Sequence, residues 1–271
     1  MHIPLAAPQT ITANGAPSGE VVICLSFDTD HMSESRMAEF LSTNAFIGRG
    51  TFFCTQRYEC LASTDHEQAP HPFLDPGSDW ERELRQKREA FPLAKGWRSH
   101  SCVFSHMLAV WLGQNSYDYV STHDQFGQTG PVPIRSRWGI WHLPIYYTDT
   151  MDFSAERFGD RLNESAFDEA IIRGALATPG LYVFDFHPVH IMLNTPEAEY
   201  YLARRDRFRA GEPVEDLRYS GYGTASFFAE LCANLERAGL QSLGMHEALV
   251  QFLEGNSRSH AGKERLFSTK I

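Results

Sequence analysis

Residues Val21–Met32 read VVICLSFDTDHM: seven apolar or small residues run without a break into Asp28 and Asp30, with His31 directly behind. A strand that merely surfaces ends in turn residues, whereas this one ends in two carboxylates one residue apart. In an extended chain residues i and i+2 point the same way, so both carboxylates face one place. Two like charges that close need a cation, a proton or an arginine between them. The plainer reading is a strand end followed by a helix cap, since Ser33 and Glu34 lie just beyond. The rest of the chain has to decide between the two.

Working outward, further apolar runs occur at Gly50–Cys54 and Leu181–Phe186, with weaker ones near Tyr117–Val120 and Ile140–Tyr147. Continuous β-branched and aromatic runs suit strands of a parallel sheet covered on both faces. Helical patterns fill the gaps. Ser33–Asn44 sets Met37, Phe40 and Leu41 on one side. Ser165 is placed to cap a helix carrying Phe167, Ala170, Ile171 and Ala175, and Thr224–Ala238 carries Phe227, Phe228, Leu231 and Leu235 before Gly239. Alternating strand and helix predicts an α/β fold, with a barrel as one form of it.

With 271 residues, the chain is long enough for one α/β barrel. Residues 1–19, rich in Ala, Pro, Thr and Gly, read as a loose lead-in, and residues 20–271 as a single domain. Lys+Arg number 24 against 34 Asp+Glu, a formal charge of −10, which argues against nucleic acid or an anionic membrane as partner and favours a small-molecule or saccharide substrate. No apolar run of about 18 residues spans a bilayer, and the N-terminus lacks a secretory signal pattern, so the expected location is cytoplasmic. Five cysteines with no CxxC pair indicate neither a disulfide framework nor a thiolate zinc site. The arginine-rich stretch Arg204, Arg205, Arg207 and Arg209 reads first as a solvated surface and second as a clamp for an anionic substrate group.

In parallel α/β sheets functional groups gather at the C-terminal strand ends. After GRGTFFC comes HEQAPHPFLD, with His66, Glu67, His71 and Asp75. KGWRSHSCVFSH follows with Arg98, His100 and His106, and LYVFDFHPVHIMLN supplies Asp185, His187 and His190. One histidine at such a place is more often structural than a ligand; three such strand ends beside a paired-Asp end point to chemistry. Imidazole and carboxylate are the ligands of a catalytic divalent ion, typically three protein groups and a water. Such an ion lowers the water's pKa from 15.7 to about 7. A second carboxylate then takes a proton and a histidine opposite protonates the leaving group, chemistry that hydrolyses amides and esters.

The ordered set SFDTD, GTFF, HEQAPH, GWRSHS, WHLPIYYTD and VFDFHPVH resembles the polysaccharide deacetylase (NodB-like) family over roughly residues 21–194, closest to its divergent intracellular branch associated with O-antigen gene clusters (WbmS-like). The resemblance implies a distorted (β/α) barrel that hydrolyses N- or O-acetyl groups, or related amides, with a divalent metal: Zn²⁺ first, then Co²⁺, Ni²⁺ or Fe²⁺. Carried over by motif, it makes Asp28 the base, Asp30 a metal ligand, His71 the first metal histidine, Arg98 the partner of the base and His187 the catalytic acid. Where the family has a second ligand histidine four residues after the first, this chain has Asp75. His100, where the family commonly has proline, is expected to compensate, with Asp75 as the alternative. Asp185 is expected to orient His187, and Tyr147 and Asp149 to line the substrate pocket. His2, His123, His246 and His260 are read as structural.

Two rival readings follow from the same residues. One is a metal-free glycosidase using Asp28 with Asp149 or Asp185, which needs carboxyl separations of about 5–5.5 Å or about 6.5–9.5 Å. The other is a non-catalytic sugar-binding barrel with Trp97, Trp138, Trp141, Tyr146 and Tyr147 as stacking surfaces.

Overall fold

The computed structural model describes residues 20–154 and 166–255; the lead-in, Ser165, His2 and His260 lie outside them. Strand β1 (Val21–Asp28) is central. With β2 (Gly50–Cys54), β3 (Glu67–Pro70), β8 (Ile145–Thr148) and β9 (Gly180–Phe186) it forms a parallel sheet in the order β3-β2-β1-β9-β8. A second sheet runs β4-β5-β7-β6, built from β4 (Gly96–Trp97), β5 (Tyr119–Val120), β6 (Ile134–Arg135) and β7 (Trp141–His142), with β6 antiparallel to β7.

Hydrogen bonds join the sheet edges. The Arg98 N–H donates to Pro70 O (3.4 Å) and the His100 N–H to Pro72 O (2.9 Å), while the Gln125 N–H donates to Ile145 O and the Ile145 N–H to His123 O, both at 2.8 Å. The two sheets are thereby linked at β3 and β4 and, through the segment 123–125, at β8, in a mostly parallel α/β arrangement with β6 left as an edge. The run expected over Ile140–Tyr147 is two strands in different sheets, divided by Pro144, which lacks the N–H a ladder needs.

The two faces of β1 explain its unbroken apolar run. Ile23, Leu25 and Phe27 pack outward with Phe40, Phe52 and Phe228, under the helices Glu34–Thr43 and Thr224–Arg237. Val22 and Cys24 point inward with Phe53, Ala69, Tyr119, Leu181 and Val183, and Met245 and Leu249 join that inner cluster. Ser26 and Asp28 continue the inward row by period two. On β9, Leu181, Val183 and Asp185 form the matching row, with Tyr182, Phe184 and Phe186 outward. The interior therefore grades from apolar to ionised along the strands.

The helix Glu34–Thr43 begins at Ser33, whose Oγ accepts from the Arg36 N–H, but buries Arg36, Met37 and Phe40 and leaves Leu41 at its margin. The later helix starts at Glu169, capped by Asp168, which accepts from the Ala170 N–H. No helix among the described residues is long and apolar enough to cross a membrane.

Candidate metal centre and active site

Every charged group of the site leaves the C-terminal end of a strand: Asp28 and Asp30 from β1, His71 from β3, Arg98 and His100 from β4, Asp149 from β8, and Asp185 and His187 from β9. Thr29 holds the first of these turns, its N–H donating to Phe53 O (3.0 Å) and its Oγ1 accepting from the Thr55 N–H (3.0 Å).

Asp30 is the hub. Its Oδ2 lies 3.2 Å from His100 Nδ1, 3.4 Å from His71 Nε2 and 3.6 Å from His187 Nε2. Burial alone would raise its pKa, but the three surrounding imidazoles hold the carboxyl far below the usual range. One ligand atom from each of Asp30, His71 and His100 falls within a cluster no wider than 4.8 Å. Within it, Asp30 Oδ1 and both ring nitrogens of His71 are buried without a hydrogen-bond partner. Three orphaned acceptors and donors in one buried place carry a desolvation penalty of about 1–3 kcal/mol each. A divalent cation bound by Asp30 and one ring nitrogen of His71 removes the part of that penalty borne by those two groups, and a donor set of two imidazoles and a carboxylate suits zinc or a similar ion with a position left for water. The residues present therefore fit a metal. Asp75 is exposed and outside this cluster, its backbone oxygen accepting from Trp80 Nε1.

Asp28 stands beside this cluster, its Oδ2 3.7 Å from His71 Nε2 and its Oδ1 accepting from Arg98 Nη1 at 2.9 Å. Arg98 is fully buried and spends all its reach on five acceptors. Nε donates to Ser121 O (2.7 Å), Nη2 to Ser121 Oγ (2.8 Å), and Nη1 to Asp28, Ser26 Oγ (3.1 Å) and Asp185 Oδ1. Its guanidinium also covers the Phe53 ring at 4.1 Å. These carboxylates outweigh burial and keep Arg98 protonated. Ser26 lies two residues before Asp28, so the period-two row of β1 is the signal that marks it; nothing in the sequence marks Ser121.

On the other side, His187 Nδ1 is 2.8 Å from Asp149 Oδ1, and the His187 N–H donates to Asp149 Oδ2, also at 2.8 Å. Burial opposes protonation of this imidazole, but Asp149, and then Asp30, raise its pKa well above the ordinary value. Two sequence expectations are corrected here. The carboxylate that orients His187 is Asp149, not Asp185. Asp185 instead accepts from Ser26 Oγ (2.7 Å) and Arg98, and burial, with Asp28 adding to it, pushes its pKa up to about 7 against the pull of Arg98. Parallel pairing sets Thr148 level with Asp185, so the next residue, Asp149, comes alongside the start of His187. Tyr147 is not brought to the cluster either. It is fully buried among Phe126, Phe184, Phe186 and Phe227, and its Oη donates to Asp152 Oδ2 (3.0 Å).

The other singled-out groups have structural partners. His66 Nδ1 accepts from the Gly50 N–H (3.0 Å), Glu67 accepts from Tyr119, Thr51 and the His246 N–H, and His246 Nε2 lies 3.0 Å from Asp118. His190 lies 3.1 Å from Thr195 Oγ1, and burial pushes its pKa down to about 3. His106 packs on Trp138 and His142 on Phe104. Of the aromatic residues offered for stacking, Trp97, Tyr146 and Tyr147 are core; only Trp138 is exposed, with Trp141 half-buried.

Comparison with known proteins bears on the fold and the family. No curated protein matches the sequence. Among solved structures, a candidate polysaccharide deacetylase involved in O-antigen biosynthesis from Bordetella bronchiseptica aligns over 80% of this chain and 91% of its own, with a TM-score of 0.66 at 20% identity, and so shares the fold. A mutant of a CE4-family pseudoenzyme with restored enzymatic activity aligns over 85% of this chain and 68% of its own (TM-score 0.40, 12% identity). The 4-alpha-glucanotransferase of Thermococcus litoralis aligns over 85% and 38% (TM-score 0.45, 11% identity). The family model described as WbmS-like polysaccharide deacetylase matches residues 25–205, well over half of the chain, and the protein belongs to that family.

Proposed function

We propose that the protein is a divalent-metal-dependent hydrolase that removes an acyl group from an N-acylated sugar or related amide during the making of a surface glycan. The observation that carries this reading is the buried cluster in which one ligand atom each of Asp30, His71 and His100 lie within 4.8 Å of one another and Asp30 Oδ1 and the His71 ring lack hydrogen-bond partners, flanked by an Arg98-held carboxylate on one side and an Asp149-held imidazole on the other. The relative from Bordetella bronchiseptica, described as involved in O-antigen biosynthesis, supports the glycan context.

Asp30, His71 and His100 would hold the ion, with zinc the metal best matched to this donor set. When bound, the ion supplies Lewis acidity and makes a nucleophilic water available at neutral pH. Asp28 accepts that water's proton. Arg98 fixes its Oδ1, leaving Oδ2 on the side of His71. His187 gives a proton to the departing amine. Its Nδ1 is engaged by Asp149, so the transferable proton sits on Nε2, the atom turned toward Asp30. Asp149 grips both the ring and the backbone of His187 and keeps the acid aimed.

A metal-free glycosidase is disfavoured, because Asp149 and Asp185 are buried and engaged by His187 and by Arg98 with Ser26, which leaves neither placed to protonate a leaving group opposite Asp28. The test pairs metal analysis with release of acetate from N-acetylated sugars. Bound divalent metal near one per chain, lost in Asp30→Ala and His71→Ala together with activity, is the expected result. A folded protein that takes up no divalent ion, or Asp30→Ala with undiminished activity, overturns the proposal.

A further inference from the structure

The arginine-rich stretch after the site has one member without a task. Arg204 stacks on Tyr200 (3.6 Å from its guanidinium carbon to the ring centre), Arg205 pairs with Asp206 (3.4 Å) and Arg207 with Glu212. Nearby Arg36 pairs with Glu39 (2.8 Å) and donates to Phe208 O. Among the described residues, Arg209 has no ion-pair partner. It is exposed, and it lines a cavity of about 560 Å³ together with His31, Ser33, Ser35, Gln56 and Arg36.

That cavity is linked to the metal cluster through His31, which lines it and is the chain neighbour of Asp30. His31 follows Asp30 directly and has a left-handed backbone (φ 62°) that turns the chain there. A wall of rings leads to it from the catalytic side: His187 to His190 (5.3 Å between centres), His190 to Tyr201 (4.6 Å) and Tyr201 to His31 (6.4 Å). Arg209 is near enough to act electrostatically on both His31 and Tyr201. The one carboxylate on the cavity's lining, Glu39, is held by Arg36. Besides the apolar Met32 and Phe208, what remains on its lining is the Arg209 guanidinium, the His31 imidazole, two serine hydroxyls and an amide, in a chain whose formal charge is −10. An anionic substrate would be repelled by such a chain, and by the four carboxylates of the site, unless a local cation received it.

We infer that this cavity is the subsite for an anionic group of the substrate, with Arg209 as its principal contact. It rests on the reading of the neighbouring cluster as the reacting centre. The ligand is an acylated sugar bearing an oxyanion, either a phosphate ester or the carboxylate of a uronic acid, with the acyl group at the metal cluster and the oxyanion beyond His31. The cavity is of the size used for small-molecule portions of this kind.

Three probes separate the possibilities: N-acetylglucosamine 1-phosphate, methyl N-acetylglucosaminide, and a methyl uronide of an N-acetylated sugar. Their dissociation constants are measured by calorimetry on the zinc-supplemented wild type, Arg209→Ala, Arg209→Lys and Asp30→Ala. One of the charged sugars is expected to bind about tenfold more tightly than the neutral one, as a charge-assisted contact provides. Whichever does so names the source of the oxyanion. Arg209→Ala should abolish that preference, leave binding of the neutral sugar and the zinc content unchanged, and Arg209→Lys should restore part of it. A preference that survives in Arg209→Ala, or no preference in the wild type, overturns the inference. Asp30→Ala with and without Arg209→Ala keeps the two readings apart: a charged-sugar preference that Asp30→Ala retains and the double variant lacks supports the subsite on its own, whether or not Asp30→Ala has lost metal and activity.

Discussion

Arg98 carries the buried charge of this protein at the scale of single residues. It sits between Asp28 and Asp185 with no exposure, and removing one partner of a buried ion pair costs about 3–5 kcal/mol. Arg98→Ala is therefore expected to lower unfolding stability by that order, measured by denaturant titration, and to abolish activity. Arg98→Lys is expected to recover little of either, since an ammonium cannot span Ser121 and both carboxylates. Asp185 gives a pH signature. Its pKa is raised from 3.8 to about 7, so across that window the folded protein holds a proton that the unfolded chain has released, and stability falls as pH rises. Asp185→Asn removes this penalty. The stability of Asp185→Asn relative to wild type should rise between pH 4 and 7 and level off above; a pH-independent difference would mean that Asp185 stays ionised throughout.

At the scale of elements, the helix Pro188–Leu193, which starts beside His187, is tied to the helix Thr224–Arg237 by the two residues after it, Thr195, whose O accepts from the Thr224 N–H and Oγ1 (3.0 and 2.9 Å), and Asn194. Asn194 ends the first with a left-handed backbone (φ 50°), and its Oδ1 accepts from the Ala225 and Ser226 N–H groups at the start of the second (3.0 and 3.2 Å). Asn194→Ala loses this cap and strains the backbone, so a loss of about 1–3 kcal/mol is expected in thermal unfolding. Asn194→Gly should recover the backbone part alone. Elements also show where sequence patterns reach their limit. β1, β2 and β9 were legible because strands covered on both faces must be apolar throughout. β3 was not: Glu67, Gln68 and Pro70 give no strand pattern, and Glu67 is acceptable inside only because Thr51, Tyr119 and the His246 N–H meet it. Two-residue strands such as β4 carry too few residues for any period to emerge.

For the whole molecule, folding brings the cluster's unpartnered atoms together, so ion binding should report on the native state. Zn²⁺ at about 100 times its dissociation constant is expected to stabilise the wild type by about 2.7 kcal/mol. The rise in melting temperature should vanish in Asp30→Ala and His71→Ala and reverse with chelator. A wild type that zinc leaves unchanged would count against the metal centre. The sequence by itself determined which segments become central strands and that their ends carry carboxylates, imidazoles and an arginine in a definite order, because burial on both faces and period-two alternation are local properties of a strand. Only the tertiary structure decided which of those groups meet. Asp185 and His187 face the same way along one strand, yet they lie two positions apart in depth, so Asp185 reaches Arg98 from β4 while His187 takes Asp149 from β8. The same closure sent Tyr147 into the core and brought His100 rather than Asp75 beside Asp30. The two carboxylates of VVICLSFDTDHM differ for that reason: Asp28 ends beside a cation from a strand of the second sheet, and Asp30 amid histidines that follow β3, β4 and β9.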